Sequence, residues 1–443
     1  MYKFILLIFI LKISINFAYP LVNLLNNTNT YELDFYAEYK TGGFDFNGDG
    51  KQDFIISHFQ TNKLYLFFGD ISRYGGQRPL KTSMIDGING FSIDIKKRDL
   101  RNYFIAGDIN GDGYDEIIIR MSNGQLKIIY GHAGPFNNDF SNFDGISGFV
   151  IDYVYSENTP FASYQVLCDR NGDGIKDLIF NTLDGVYVLY GLKIGHKYPT
   201  NSGKFDINLI SNGTFGHIMN LRYTINLGCG DLNNDGIDDL VILLDGTGSV
   251  SFGINNYPSQ YNPDLNGTTG FTMDIEANRF KWILQIGFGD LNGDGLKDMA
   301  VISQDSKLIY MIYGKKGGSW KSHFDINSGN SSEVVKWVRD ESSPQVFCTS
   351  IYVGDINGDG ISDLSCNINS LHYTWVVYGT SNQLPAVYDL NIESSPLFGD
   401  SRGFVIANTA VTFSTWIDFN NDGVQDLIIY FNNLKNYILF GEI

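Results

Sequence analysis

The hydrophobic positions of this chain come in short, interrupted runs. Four to six apolar residues, rich in β-branched and aromatic types, alternate with clusters of Gly, Asn, Asp and Ser. Residues 103–106, 116–120 and 126–130 read as three successive strands, the last two joined by a polar turn at Ser122-Asn123-Gly124. A further strand stands upstream in most units, as at 90–95, 148–153 and 270–275. No amphipathic helix separates them.

The strands recur with a fixed period. One nine-residue pattern, D-x-N-x-D-G-x-x-[DE], begins at Asp45, Asp108, Asp169, Asp231, Asp290, Asp355 and Asp418, at spacings of 63, 61, 62, 59, 65 and 63 residues. Each copy is followed by an aromatic-Gly pair: Phe68-Gly69, Tyr130-Gly131, Tyr190-Gly191, Phe252-Gly253, Tyr313-Gly314, Tyr378-Gly379 and Phe440-Gly441. Seven antiparallel units of four strands predict an all-β fold, a seven-bladed β-propeller over residues 19–443. The last unit ends after its third strand, at residues 437–440, and a spare strand lies near residues 31–36. The N-terminal strand is therefore expected to join the last blade and close the ring.

Oxygen-bearing side chains at positions 1, 3, 5 and 9, with Gly at position 6 for a sharp turn, suit a hard cation of calcium size, and the position-7 carbonyl adds a donor. In the first loop the candidate ligands are Asp45, Asn47, Asp49, Lys51 (carbonyl) and Asp53, and in the second Asp108, Asn110, Asp112, Tyr114 (carbonyl) and Glu116. The third and fourth offer Asp169, Asn171, Asp173, Ile175 and Asp177, then Asp231, Asn233, Asp235, Ile237 and Asp239. The fifth and sixth offer Asp290, Asn292, Asp294, Leu296 and Asp298, then Asp355, Asn357, Asp359, Ile361 and Asp363. The seventh offers Asp418, Asn420, Asp422, Val424 and Asp426. Position 4 is Gly except at Asn234 and Asn421, a type that tolerates left-handed angles. Strands flank these loops, which excludes an EF-hand. Up to seven structural Ca2+ ions are expected.

Composition sharpens this picture. Positions 1, 5 and 9 of the loops hold 21 of the 49 acidic residues, and the formal net charge is −18. A surface of that sign excludes nucleic-acid binding by counterion release. Residues 1–18 read as a signal peptide, with Lys3 before an apolar run too short to span a bilayer, so the chain is expected to be secreted, with no membrane span. Sequons at Asn26, Asn212, Asn266 and Asn330 fit export. The four cysteines lack C-x-x-C spacing. Three disulfide connectivities are open. Cys348 with Cys366, and Cys168 with Cys229, are favoured by position, with free buried thiols as the alternative.

The aromatic-Gly pairs and the Gly-Asp steps at Gly107-Asp108, Gly230-Asp231, Gly289-Asp290 and Gly354-Asp355 resemble FG-GAP repeats, as in the N-terminal propeller of integrin α subunits. The resemblance implies a propeller, calcium and a ligand-binding face, and it departs from integrins in carrying a loop in every blade. It is similar to free-standing, secreted lectin-like propellers.

Catalytic signals are sparse. Six His residues (58, 132, 196, 217, 323 and 372) show no triad or metal spacing, and Gly399-Asp400-Ser401-Arg402-Gly403 leads into a predicted strand rather than a helix. No enzyme is expected. Bases and aromatics gather instead in the loops leading into the inner strands: Lys96-Lys97-Arg98-Asp99-Leu100-Arg101, Arg222-Tyr223, Arg279-Phe280-Lys281-Trp282 and Lys336-Trp337-Val338-Arg339. That rim is expected to bind an acidic or glycan ligand through Arg charge and Trp stacking. The function expected is a ligand-binding or adhesion module for a glycan or extracellular protein. The alternative is a lyase-like enzyme acting on polysaccharides.

Overall fold

The computed structural model describes residues 21–22, 30–34, 40–58, 61–94, 100–121, 123–136, 143–152, 164–182, 184–222, 224, 226–244, 247–274, 284–303, 308–317, 320–326, 332–338, 348, 350–368, 373–382, 387–389, 403–407, 411–431 and 436–441. The proposed signal peptide lies outside them, as do residues 96–99, 279–282, Asn26, Asn330 and His372.

Seven sheets form, each with an antiparallel four-strand blade. In blade 1, Lys40–Phe44, Asp53–His58, Lys63–Phe67 and Gly90–Asp94 pair in order from the inner strand outward. The second strands are mostly apolar and buried on both faces, because neighbouring blades cover each side. Glu116–Met121 is buried along its whole length, and Asp177–Asn181 likewise. The core is accordingly divided. Seven apolar clusters occur, one at each blade boundary.

Closure follows the expected route. Thr30–Leu33 pairs antiparallel with Asn436–Leu439 and supplies the outer strand of blade 7, with Tyr31 opposite Ile438. Tyr31 and Leu33 are fully buried with Phe54, Ile417 and Ile428 at the seam. Burying two such side chains stabilises the closed ring by roughly 3–6 kcal/mol.

A second interlock has no signal in the strand pattern. Short parallel strands cap the outer edges, each contributed by the connector of the next blade. Lys204–Phe205, from the blade 3 connector, pairs with Gly148–Asp152 of blade 2. His323–Phe324 pairs with Gly270–Asp274, Val387–Asp389 with Val334–Val338, and Leu21–Val22 with Gly403–Ala407. Single bridges do the same at Leu33 with Leu80 and Ile218 with Gln260. An outer strand would otherwise present open N–H and C=O groups, so the cap protects the edge and, among the described residues, ties six of the seven blades to their successors.

Both favoured disulfides are present, Cys168–Cys229 joining blades 3 and 4 and Cys348–Cys366 within blade 6. One expectation is corrected. Lys336 and Trp337 do not lie in a rim loop: they belong to the outer strand Val334–Val338, and Trp337 is 3% exposed in the cluster between blades 5 and 6. Trp282, the other proposed stacking residue, lies outside the described residues.

Candidate functional site: the seven acidic loops

Each D-x-N-x-D-G stretch joins an inner strand to the second strand, so all seven loops open on one face of the ring. Their backbones are alike. Position 4 takes positive φ whether it is Gly (69° at Gly48) or Asn (54° at Asn234 and 59° at Asn421), as the sequence led us to expect. Position 6 is also left-handed in every loop, for example 79° at Gly50 and 91° at Gly423.

Hydrogen bonds wind each loop around its own side chains. In blade 1 the Asp49 N–H donates to Asp45 Oδ1 and to Asn47 Oδ1, both at 3.1 Å. The Gly50 N–H donates to Asp45 Oδ2 at 2.7 Å and the Lys51 N–H to Asp49 Oδ1 at 2.9 Å. One N–H reaching the oxygens of positions 1 and 3 together means that those oxygens are neighbours. Blades 3, 4, 5 and 7 repeat the double contact, as at Asp173, Asp235, Asp294 and Asp422. In blade 6, Asp355 Oδ1 is buried with no hydrogen-bond partner.

Position 9 has a second task that sequence reasoning missed. All seven of these carboxylates are fully buried. One oxygen accepts the position-2 N–H in every blade, at 2.9 Å from Phe46 to Asp53 and 2.8 Å from Ile109 to Glu116. The other accepts the N–H of the Gly in the aromatic-Gly pair, as from Gly69 to Asp53 at 2.8 Å and from Gly314 to Asp298 at 2.9 Å. This gives a physical reason for the repeated Gly. A Cβ at Gly69 would stand 2.4 Å from the Gln52 carbonyl, and one at Gly314 would stand 2.2 Å from that of Lys297. Only a residue without a side chain brings its N–H to the carboxylate there.

Desolvation is the main cause of high proton affinity at position 9. It pushes Asp177 up to about 8 and Asp239, Asp298, Asp363 and Asp426 up to about 7, against the opposing pull of the two backbone N–H groups. The charges at positions 1 and 5 raise most of them further, and Asp53 and Glu116 are also driven well up. A buried acid beside two like charges calls for a cation or a proton. Each carboxylate oxygen keeps a second lone pair beyond its backbone bond. Among the described residues no three Asp, Glu, His or Cys side chains form a ready metal cluster. The loop donor set is mixed, with Asn oxygens and a backbone carbonyl beside the acids, and the chemistry of those donors fits calcium.

Two blades bring a cation of their own. In blade 1, Arg73 of the connector pairs with Asp49 at position 5, and Lys51 pairs with Asp70. In blade 3, position 2 is Arg170 where the other six blades carry Phe46, Ile109, Leu232, Leu291, Ile356 and Phe419. Arg170 is fully buried and crosses into blade 4, donating to the Ser251 carbonyl at 2.8 Å, the Asp238 carbonyl at 3.1 Å and Ser251 Oγ at 3.1 Å. Its guanidinium also sits 5.3 Å from the Tyr257 ring centre.

The loops match a known repeat. The FG-GAP-like repeat family matches residues 231–301 and 290–365, which span three of these loops in full, those of blades 4, 5 and 6. The chain is an FG-GAP repeat protein. Its FG-GAP propeller is 22% identical over 457 aligned residues to the T-cell immunomodulatory protein homolog of Plasmodium falciparum, covering 90% of this chain and 61% of that protein. It is 23% identical over 244 residues to the phosphatidylinositol-glycan-specific phospholipase D of Dictyostelium discoideum, covering 48% of this chain and 23% of that protein. The chain thus spans about three-fifths and about a quarter of these curated relatives. Among solved structures, BBS1N in complex with ARL6DN matches at 10% identity with a TM-score of 0.47, covering 92% of this chain and 96% of that one.

Elsewhere on the FG-GAP propeller the structure assembles a group that spacing alone did not show. His323 on the edge cap of blade 4 lies 3.2 Å from Asp274 Oδ2 and 2.9 Å from Thr272 Oγ1. The equivalent place in blade 2 holds the pair Lys204–Asp152 at 2.6 Å, so this is an edge-strand clasp rather than a catalytic triad. Gly403 opens the strand Gly403–Ala407, so the G-x-S-x-G stretch leads into a strand, as expected. No helix among the described residues is long and apolar enough to cross a membrane.

Proposed function

We propose that this chain is a secreted propeller whose seven loops hold calcium and whose ring presents a binding surface for an extracellular glycan or protein. The observation that carries the calcium reading is the repeated winding of seven loops around oxygen donors, above buried carboxylates that backbone N–H groups alone do not neutralise. When bound, the ion would neutralise the like charges at positions 1, 5 and 9. The chain's own residues hold the shape: position 9 locks the loop to the aromatic-Gly turn, and the edge caps lock blade to blade. Seven divalent ions bring fourteen positive charges to a chain of formal net charge −18. Two disulfides suit an oxidising compartment.

A binding role rests on the repeat family together with the immunomodulatory homolog among its relatives. A catalytic role has behind it only the partial match to a phospholipase D. The basic stretch at residues 96–101 remains the proposed contact for an acidic glycan, now without a stacking part for Trp337. Calcium-loaded protein applied to an array of neutral and anionic glycans tests this. Signal on anionic glycans that disappears when Lys96, Lys97 and Arg98 are changed to Glu supports the reading. A blank array, or signal untouched by those changes, contradicts it.

A further inference from the structure

The outer strands of blades 1, 2 and 4 are introduced by a tight turn of one design that the loop repeat does not include, and blade 3 has a related turn. In blade 1, Asp86 Oδ1 accepts the N–H of Ile88 at 2.9 Å and of Asn89 at 2.8 Å, and the Gly87 N–H reaches the Gly90 carbonyl at 2.9 Å. Blade 2 repeats this with Asp144, which accepts from Ile146 at 2.8 Å and Ser147 at 3.0 Å. Blade 4 builds the same turn with Asn266, which accepts from Thr268 at 2.9 Å and Thr269 at 3.3 Å, with Gly267 reaching the Gly270 carbonyl at 2.7 Å. Blade 3 differs: Asn212 ends the short helix Asn208–Ser211 and accepts from Thr214 alone at 3.0 Å, while the Gly213 N–H turns back to the Ile210 carbonyl at 3.0 Å.

The turn needs a single acceptor oxygen, which Asp and Asn supply equally. The exchange matters for the other half of the side chain. Asn212 and Asn266 use Oδ1 for the turn, and their Nδ2 atoms make no hydrogen bond with the described residues. Both Asn residues are exposed, and so are Thr214 and Thr268 two positions on. The glycine between takes positive φ, 85° at Gly213 and 91° at Gly267, and the Asn and Thr on either side of it face solvent. Each Asn-Gly-Thr is an acceptor triplet for an Asn-linked sugar.

We propose that Asn212 and Asn266 are N-glycosylation sites, and that blades 1 and 2 carry the Asn266 turn with the acceptor nitrogen removed. The donor is a lipid-pyrophosphate-linked oligosaccharide. Nδ2 forms a bond to C1 of the first sugar and releases one proton. The C1–O bond breaks and its electron pair leaves with the lipid pyrophosphate. The folded turn survives, because Oδ1 stays free to accept its backbone N–H groups. These turns stand on the same end of the blades as the acidic loops, since Gly270 pairs with Ser251 and Gly216 with Leu189, at the ends of third strands. Sugars there would cover the loop face at blades 3 and 4 and leave the opposite rim open to a partner.

The proposal rests on export, so the test separates the two. The full chain is expressed in a eukaryotic secretory line behind its own N-terminus and, in parallel, residues 19–443 behind a proven secretion leader. Secreted protein is digested with a peptide N-glycosidase in 18O water and its peptides are read by mass spectrometry. The expected result is 18O-labelled Asp at positions 212 and 266. Asn212→Asp and Asn266→Asp each lose one glycan and keep the melting temperature of enzymatically deglycosylated wild type. Thr214→Ala and Thr268→Ala lose the glycan with the Asn in place. Secreted protein with both Asn residues unlabelled overturns the proposal. Secretion with the foreign leader alone refutes export by the chain's own N-terminus, and site labelling in that arm still decides the glycans.

Discussion

Asp45 and Asp115 exchange two hydrogen bonds across the boundary between blades 1 and 2. The Asp115 N–H donates to the Asp45 carbonyl at 2.9 Å, and the Asp45 N–H donates to Asp115 Oδ2 at 2.6 Å. Asp169 and Asp238 do the same between blades 3 and 4, at 2.9 and 3.1 Å. At the seam, Gln52 Oε1 accepts the Asp418 N–H at 2.9 Å. Position 8 of one loop thus holds position 1 of the loop before it, so the loops are linked around the ring.

Asp115→Ala removes that acceptor and leaves the Asp45 N–H unpaired at a packed boundary. The expected cost is about 1–3 kcal/mol in urea unfolding, while Asp115→Asn keeps an acceptor and costs less. Equal stability of the Ala variant and wild type would show that the exchange does not hold the blades.

The glycine of the aromatic-Gly pair is required by distance. Gly314→Ala sets a Cβ against the Lys297 carbonyl and forces the N–H off Asp298. A loss of about 1–3 kcal/mol is expected from the overpacking, with more if the hydrogen bond breaks as well. Thermal melting of the two proteins side by side checks it.

His217 supplies a pH dependence with a definite sign. It is fully buried, hydrogen-bonded through Nδ1 to the Tyr190 hydroxyl at 2.9 Å, stacked on Tyr257 at 4.1 Å and edge-on to Tyr261. Burial, and then the Arg170 guanidinium, pull its imidazole down to about 3. An unfolded chain titrates this group near 6.5. Between pH 6.5 and 3 the unfolded state binds the extra proton, so the stability due to neutral His217 is complete above 6.5 and is lost as pH falls through that window. The slope is at most about 1.4 kcal/mol per pH unit. His217→Gln should be less sensitive than wild type between pH 7.5 and 5. An unchanged difference between those two conditions would rule His217 out.

Arg73 competes for the first loop. Its guanidinium pairs with Asp49, a position-5 donor, in a partly exposed contact. Arg73→Ala is expected to raise the calcium affinity of blade 1 and leave the other six loops unchanged, which a calorimetric titration of the variant against wild type would resolve. Weaker binding in the variant would show that Arg73 supports the loop instead.

Much of the architecture was legible because it repeats. Seven copies of one loop, each between strands, identify the blades, and a missing fourth strand at one end with a spare at the other identifies the closure. Local chemistry was legible too, down to the left-handed angles of Asn234 and Asn421. Features set by tertiary contact were not. The edge caps are as short as Lys204–Phe205, and two residues paired parallel to a strand of another blade have no period of their own. Arg170 drew no reading from the sequence, since nothing local shows that position 2 faces a blade boundary. Trp337 sat among Lys336 and Arg339 and read as rim, whereas the outer strand runs through it and turns it into the core.

Calcium occupancy and melting temperature, taken together on one sample, probe the loops most directly. Purified protein is dialysed against calcium, its bound metal is counted, and its melting is followed with calcium and with excess chelator. Seven loops of one geometry predict close to seven ions per chain and a lower melting temperature on chelation. A metal-free protein that melts at the same temperature in both buffers would contradict it.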